Sequence, residues 1–298
     1  MKSAHVDTPQ GFAFAVSAYF LWGFLPIYMK SLADVSPLEV LAHRVVWSIP
    51  IAAVVLIALG RTKDLRAALA SPRMLAMGAV TAALISANWG IYIWSIVSGN
   101  ALEAALGYYI NPLFSVFLGA VLLGERLDKI KWASIALALS AVVILTVESG
   151  SIPIVALALT GTWGFYAYFK RSLPIGPNQG FLLEVLLLSV PAAGFIAYLA
   201  YSGTGHFMVG NAVNSWLLVG CGAVTAVPLM LYANGAKLLR LSTIGMLQYI
   251  APTMIFLIAV FVFGEQFGRA RMIAFPMIWC ALALYSYALW KEAGRARA

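Results

Sequence analysis

Tyr109-Ile110-Asn111-Pro112 and Tyr249-Ile250-Ala251-Pro252 stand 140 residues apart, each inside a long apolar run. The same spacing persists around them. Tyr92 returns as Tyr232 and Gly124-Glu125 as Gly264-Glu265, while Trp22-Gly23-Phe24 returns as Trp163-Gly164-Phe165 after 141 residues. The chain of 298 residues contains itself twice. A repeat in a chain that is apolar almost throughout is the pattern of secondary transporters, whose sites lie where the two halves meet.

Composition identifies the solvent. The chain is 62% hydrophobic and 10% charged, whereas a soluble domain is about 25% charged. Helices packed in a water-soluble core need a polar face, and most apolar runs here have none. A polytopic membrane protein follows, with the lipid bilayer as its partner. The net charge of +8 does not indicate nucleic acid, because Lys and Arg are scattered between apolar runs rather than gathered in a patch. Cys221 and Cys280 lie in apolar stretches without CxxC or Cys/His spacing, so no disulfide framework, metal site or cofactor is expected. The first apolar run follows one basic residue and has no convincing cleavage site, so it reads as a span rather than a signal peptide.

About 20 apolar residues cross a bilayer. Ten spans are expected, over 11–30, 38–59, 74–98, 102–123, 131–147, 152–170, 179–200, 214–238, 242–263 and 271–290. The short gaps Ser98–Leu102 and Leu238–Ser242 hold equivalent places and are expected to be tight turns. With the N-terminus inside, fifteen of the nineteen Lys and Arg fall on the inner side, so both termini are expected in the cytoplasm. Arg61–Arg73 is then the main cytoplasmic loop, partly helical, and Ser202–Asn214 the polar external one. Five spans per half make the second half enter from the opposite side. The expected fold is an all-α integral membrane protein: ten transmembrane helices in two inverted-topology five-helix repeats, residues 1–149 and 150–298.

Several longer motifs carry a resemblance. Tyr19-Phe20-Leu21-Trp22-Gly23, Leu41-Ala42-His43-Arg44-Val45-Val46-Trp47-Ser48, Asn88-Trp89-Gly90-Ile91-Tyr92-Ile93-Trp94 and the run from Leu102 to Leu113 closely resemble RarD-type permeases. So do Gly124-Glu125-Arg126-Leu127, Thr225-Ala226-Val227-Pro228-Leu229 and Leu247-Gln248-Tyr249-Ile250-Ala251-Pro252-Thr253. These permeases form part of the EamA branch of the drug/metabolite transporter (DMT) superfamily, which includes YddG-like exporters of aromatic and other amino acids. The resemblance covers nearly the whole chain. It implies ten helices in two inverted repeats, a bacterial inner membrane and export of small metabolites.

An ionisable group inside a span costs roughly 2.5 kcal/mol or more and needs a reason. His43, Arg44, Glu103 and Glu184 qualify. Glu184 maps onto His43 at the offset of 141, and the pair is a candidate for lining a central cavity, with Glu184 taking a substrate ammonium or a proton. The alternative is a structural hydrogen bond. Arg44 points about 100° away from His43 and is expected to anchor its helix near the outer surface, with a substrate carboxylate as the other possibility. Glu103 is expected to cap the start of its helix.

Aromatic and amide groups cluster in both halves: Asn88, Tyr92, Trp94, Tyr108, Tyr109 and Asn111 in the first, Trp163, Tyr166, Tyr232, Asn234, Gln248 and Tyr249 in the second. Such faces suit a pocket for a small amphipathic solute. The competing explanation is an interfacial aromatic belt, open to Trp94, Tyr108 and Tyr109, which lie near an outer boundary. The candidate substrate-binding set is therefore His43, Asn88, Tyr92, Tyr109, Trp163, Tyr166, Glu184, Tyr232, Gln248 and Tyr249, with Trp163, Tyr92 and Gln248 expected deepest. Pro26, Pro112, Pro228 and Pro252 fall inside spans as hinges or static bends. Gly124-Glu125 and Gly264-Glu265 are expected to end their spans, with Arg126 or Arg269 pairing the glutamate.

These features lead to an alternating-access exporter of small metabolites, with amino acids bearing apolar or aromatic side chains as the expected cargo and a monomer as the expected unit. A drug or toxic-cation exporter, of chloramphenicol or quaternary amines, is the alternative. HExxH and GxSxG motifs are missing, which argues against an enzyme, and a channel filter motif is missing too.

Overall fold

The computed structural model describes residues 8–123, 127–171, 173–209, 211–239, 243 and 247–295. All regular structure among them is helical. In chain order the helices are α1 (Pro9–Lys30), α2 (Pro37–Ala58), the short α3 (Thr62–Leu69), α4 (Pro72–Val97), α5 (Ala101–Leu123) and α6 (Lys129–Ser149). The second half follows with α7 (Ile154–Arg171), α8 (Pro177–Ser202), α9 (Ala212–Lys237), α10 (Ile250–Leu257), which continues as a π-helical turn over Ile258–Val262, and α11 (Arg269–Arg295).

Every described helix start lies within two residues of the expected one, from α1 through α9 and at α11. The punctuation is local. Proline opens α1, α2, α4 and α8, where its missing N–H is one of the donors a helix leaves unpaired anyway. Thr8, Ser71, Asp128 and Asn211 cap their helices by accepting backbone N–H bonds from Gly11, Met74, Lys131 and Val213. The turn expected at Ser98–Leu102 is tight, with Gly99 at φ 75°, a conformation that glycine adopts without strain. Its counterpart, Leu238–Ser242, lies partly outside the described residues, as do Gly124-Glu125 and Arg126.

Eight helices among the described residues are long and apolar enough to cross a membrane. The other two expected spans correspond to α7, with 18 residues, and to the shorter apolar stretch Ile250–Val262. Large apolar side chains cover the outside: Val147 is 74%, Trp216 76% and Phe261 77% exposed. In water such a surface would aggregate; in lipid it faces its own kind.

Inside, α1 packs on α9 and α10, α2 on α8 and α9, α4 on α7 and α8, α5 on α7 and α10, and α6 on α11. Lipid offers no hydrophobic drive between helices, so close packing must hold them. Small residues supply it. A Cβ on Gly222 of α9 would overlap the Trp47 carbonyl of α2. Gly235 lies against the backbone of Gly11 and Ala15, joining α9 to α1.

Candidate functional site

A cavity of about 110 Å³ lies among the helices, several times the roughly 10–15 Å³ that a water centre needs. Its wall comes from α1 (Tyr19, Trp22, Leu25), α2 (Arg44), α4 (Asn88, Trp89, Tyr92), α5 (Tyr108, Asn111), α7 (Trp163), α9 (Thr225, Leu229) and α10 with the residues just before it (Gln248, Ala251, Pro252, Ile255). Aromatic faces dominate, and a few polar groups converge between them.

Of the candidate substrate-binding set, Asn88, Tyr92, Trp163 and Gln248 line this cavity, and so does the candidate hinge Pro252. Asn88 is committed to holding helices together: its Nδ2 donates to the Leu159 carbonyl at 3.1 Å and to Thr162 Oγ1 at 2.9 Å, and its Oδ1 accepts from Tyr108 at 3.3 Å. Tyr92 is buried, packs with its ring tilted against that of Tyr108, and its hydroxyl has no partner among the described residues. The Asn111 Oδ1 is likewise buried without one.

The other candidates sit around the wall. Tyr232 packs on Tyr19 and Trp22. Tyr109 shares a 2.8 Å hydrogen bond with Thr253, tying α5 to α10. Tyr249 packs against the main core, at the entry to α10. Tyr166 packs on Trp163 and donates to Glu184. Glu184 is buried and does not line the cavity. Lys170 Nζ meets its Oε1 at 2.6 Å, so the acid is already neutralised. His43 is buried as well; its Nδ1 accepts from Trp47 Nε1 at 3.0 Å, which puts the ring proton on Nε2, and its ring packs on Phe207.

Three expectations change. Arg44 does not reach the surface: it is 2% exposed, and it lines the cavity. Tyr108 lines the cavity too and is no belt residue, whereas Trp94 is 48% exposed. The cap on α5 is Glu265, 164 residues away, whose carboxylate accepts from the Ala101 N–H at 2.7 Å and the Leu102 N–H at 2.9 Å. Burial pushes the Glu265 carboxyl above its ordinary range; those two N–H groups, then Arg271 and Lys30, pull the other way.

Pro26, Pro112 and Pro228 lie inside α1, α5 and α9. Pro252 instead falls in the first turn of α10, where a missing N–H breaks no helix bond. Sequence reading passed over Pro50 and Pro191, inside α2 and α8 and 141 residues apart; the repeat spacing alone marks them.

Arg44 is the cavity's cation. Its Nε donates to Thr225 Oγ1 at 2.9 Å and its guanidinium lies 4.9 Å from the centre of the Trp89 ring. Its Nη1 has no partner among the described residues. Among the described residues, no carboxylate lines the cavity. The N-terminal end of α2 is tied down by Glu39, which accepts from the His206 N–H at 2.7 Å and meets His206 Nδ1 at 2.8 Å. Among the described residues, no three His, Cys, Asp or Glu side chains gather as a metal site requires.

Known proteins agree with this architecture. Residues 9–147 match the EamA-like transporter family. An uncharacterized transporter of Vibrio cholerae is 44% identical over 94% of this chain and 93% of its own. Protein RarD of Escherichia coli is 38% identical over 94% of each, and the chloramphenicol-sensitive protein RarD of Pseudomonas aeruginosa 33% identical over 92% of this chain and 93% of that one. A crystal structure of another protein, 20% identical, superposes with a TM-score of 0.61 over 92% of this chain and 96% of that one, which shows the shared fold. The chain is a multi-pass membrane transporter, a RarD-type permease of the EamA branch of the drug/metabolite transporter superfamily.

Proposed function

We propose that this permease exports small metabolites, amino acids with apolar or aromatic side chains foremost, across a bacterial inner membrane by alternating access. Two inverted repeats, residues 1–149 and 150–298, each supply five helices, and both termini lie in the cytoplasm. The unit is a monomer, because one chain encloses the pathway.

The central cavity carries this reading. Its wall draws on α1, α4 and α5 and on their counterparts α7, α9 and α10. Residues related by the repeat offset meet there: Trp22 with Trp163, Tyr108 with Gln248, Asn111 with Ala251. The packing also exchanges. The pairing of α1 with α9 mirrors that of α7 with α4, and α5 on α7 mirrors α10 on α1. An inverted repeat of this kind allows one packing scheme to close either end around a fixed midplane site.

Drug export has one observation in its favour, the chloramphenicol sensitivity in the name of the Pseudomonas relative. Export of cations has the chemistry against it, since Arg44 lines the cavity and, among the described residues, no acid does.

Efflux from proteoliposomes loaded with the twenty amino acids, with and without a pH gradient, tests the reading. Selective loss of apolar and aromatic amino acids supports it, and a response to the gradient identifies proton coupling. Movement of chloramphenicol or quaternary amines with no movement of amino acids overturns it.

A further inference from the structure

Among the cavity residues at which the two halves differ, one carries a charge. Position 44 holds Arg, while its counterpart at the offset of 141 is Val185. We propose that Arg44 and Tyr92 form the seat for a carboxylate, so that the cavity selects small monocarboxylates with an apolar body, whether or not they carry an ammonium group. Transport of such a ligand rests on the function proposed above; its binding rests on the geometry alone.

An arginine buried to 2% exposure is costly in a membrane interior unless something answers its charge. The answers within the protein are partial. Thr225 is a neutral acceptor for Nε, and it occupies one side of the guanidinium fork. Trp89 supplies a ring face at 4.9 Å, which attracts a cation without neutralising it. The two buried acids among the described residues are spoken for: Glu184 is held by Lys170 and Glu39 by His206. What remains is an Nη1 donor with no partner among the described residues, at the wall of a cavity. The Tyr92 hydroxyl, on the same wall, is a second such donor.

Guanidinium plus hydroxyl is a donor set for a carboxylate, and charge-assisted bonds of this kind are the strong ones. The third such group on the cavity wall, Asn111 Oδ1, is a neutral acceptor. It can take an ammonium, a hydroxyl or an amide N–H equally, so the wall does not require an amine. Trp22, Trp163 and Tyr19 line the remainder and suit a flat apolar body. A cationic ligand would meet Arg44 with no carboxylate in the wall to offset the repulsion.

The test is binding to the purified full-length protein in detergent. It is read by tryptophan fluorescence, because Trp22, Trp89 and Trp163 line the cavity, and by the shift in melting temperature. Three matched probes separate the groups: phenylalanine, phenylpropionate without the amine, and phenethylamine without the carboxylate. The first two should bind wild type and the third should not. Arg44→Gln should weaken both acids by about ten- to a hundred-fold, the range for a hydrogen bond to a charged group. Tyr92→Phe should weaken them by less, and Arg44→Lys should keep part of the affinity through its charge. Should Arg44→Gln fail to fold, Arg44→Lys and Tyr92→Phe still carry the comparison. Binding of phenethylamine as tight as that of phenylpropionate overturns the assignment, as does acid binding indifferent to Arg44 and Tyr92, or no acid binding to wild type. Counterflow of phenylalanine in proteoliposomes keeps the two proposals apart. Arg44-dependent binding without movement of any solute removes the transport reading and leaves the carboxylate seat. Movement of other solutes with no acid binding does the reverse.

Discussion

Replacing Glu184 by Gln should destabilise the protein, and replacing Lys170 as well should restore it. The pair is short, at 2.6 Å, with side-chain exposures of 1% for the acid and 20% for the lysine. Removing one member of a buried pair costs about 3–5 kcal/mol, because it leaves the other charge uncompensated. Lys170 is partly exposed and sits in the last turn of α7, where the helix dipole favours a cation. The expected cost of Glu184→Gln is therefore at the lower end, about 2–3 kcal/mol, or roughly a hundredfold in the folded fraction. Glu184→Gln/Lys170→Met removes both charges. It retains an acceptor for the Tyr166 hydroxyl and should recover most of the loss, giving a coupling energy of about 2 kcal/mol. Denaturant unfolding of the four proteins in detergent measures the cycle. Wild-type stability in Glu184→Gln, or no recovery in the double variant, refutes the structural role. Ligand binding gives an independent check. The double variant should bind phenylalanine within about twofold of wild type, since neither group lines the cavity; a stable double variant that binds nothing returns Glu184 to the site.

Other positions yield further expectations. Gly222→Leu sets a side chain against the Trp47 carbonyl and should cost about 1–3 kcal/mol as α2 and α9 part, with a lower melting temperature and a disturbed Arg44–Thr225 bridge. Glu265→Ala removes the carboxylate that accepts from the Ala101 and Leu102 N–H groups and should cost about 0.5–2 kcal/mol, read by denaturant unfolding. Because burial raises the Glu265 carboxyl, the folded state holds that proton more tightly than the unfolded one. Its contribution to stability is thus fully present below the ordinary carboxylate range and declines as pH rises through the raised value. Glu265→Gln should flatten that part of the unfolding profile, and an unchanged profile counts against the burial argument. Glu39→Ala frees the His206 N–H and ring; hydrogen exchange at His206 and proteolysis of the 203–211 loop should both quicken, with α2 itself unchanged.

The spans were legible because lipid forces each backbone polar group to be satisfied within its own helix. An apolar run bounded by Pro, Ser, Thr or Asp therefore reads directly as α1, α4 or α6. The count was less legible where helices are short or mixed. Trp163, Tyr166 and Lys170 make α7 less apolar than its partners, and the ninth span is described only from Thr243 and Leu247 onward. In the site, Trp163, Tyr92 and Gln248 could be placed deep from their distance to the nearest loops. Arg44 was misjudged because its adjacency to His43 gives an angle and not a depth. Two signals pointed inward. Arg44 lies seven residues past Pro37, about 10 Å down the helix. Its helical neighbours Val40, Leu41, Trp47 and Ser48 include no acid. Glu184 looked free because its partner sits on the preceding helix, 14 residues away. The Glu265 cap, 164 residues from Ala101, was beyond reach, since only tertiary packing brings those ends together.

Alternating access around the central cavity is tested most directly by sided labelling of one cavity residue. Leu229→Cys in a Cys221→Ala/Cys280→Ser background places a single thiol on the cavity wall. A membrane-impermeant thiol reagent is then applied to reconstituted protein from either side, with and without phenylalanine. Labelling from both sides, slowed by the ligand, is the expected result. Labelling from one side only, or labelling indifferent to every ligand the protein moves, contradicts a shared site that opens in turn to each face.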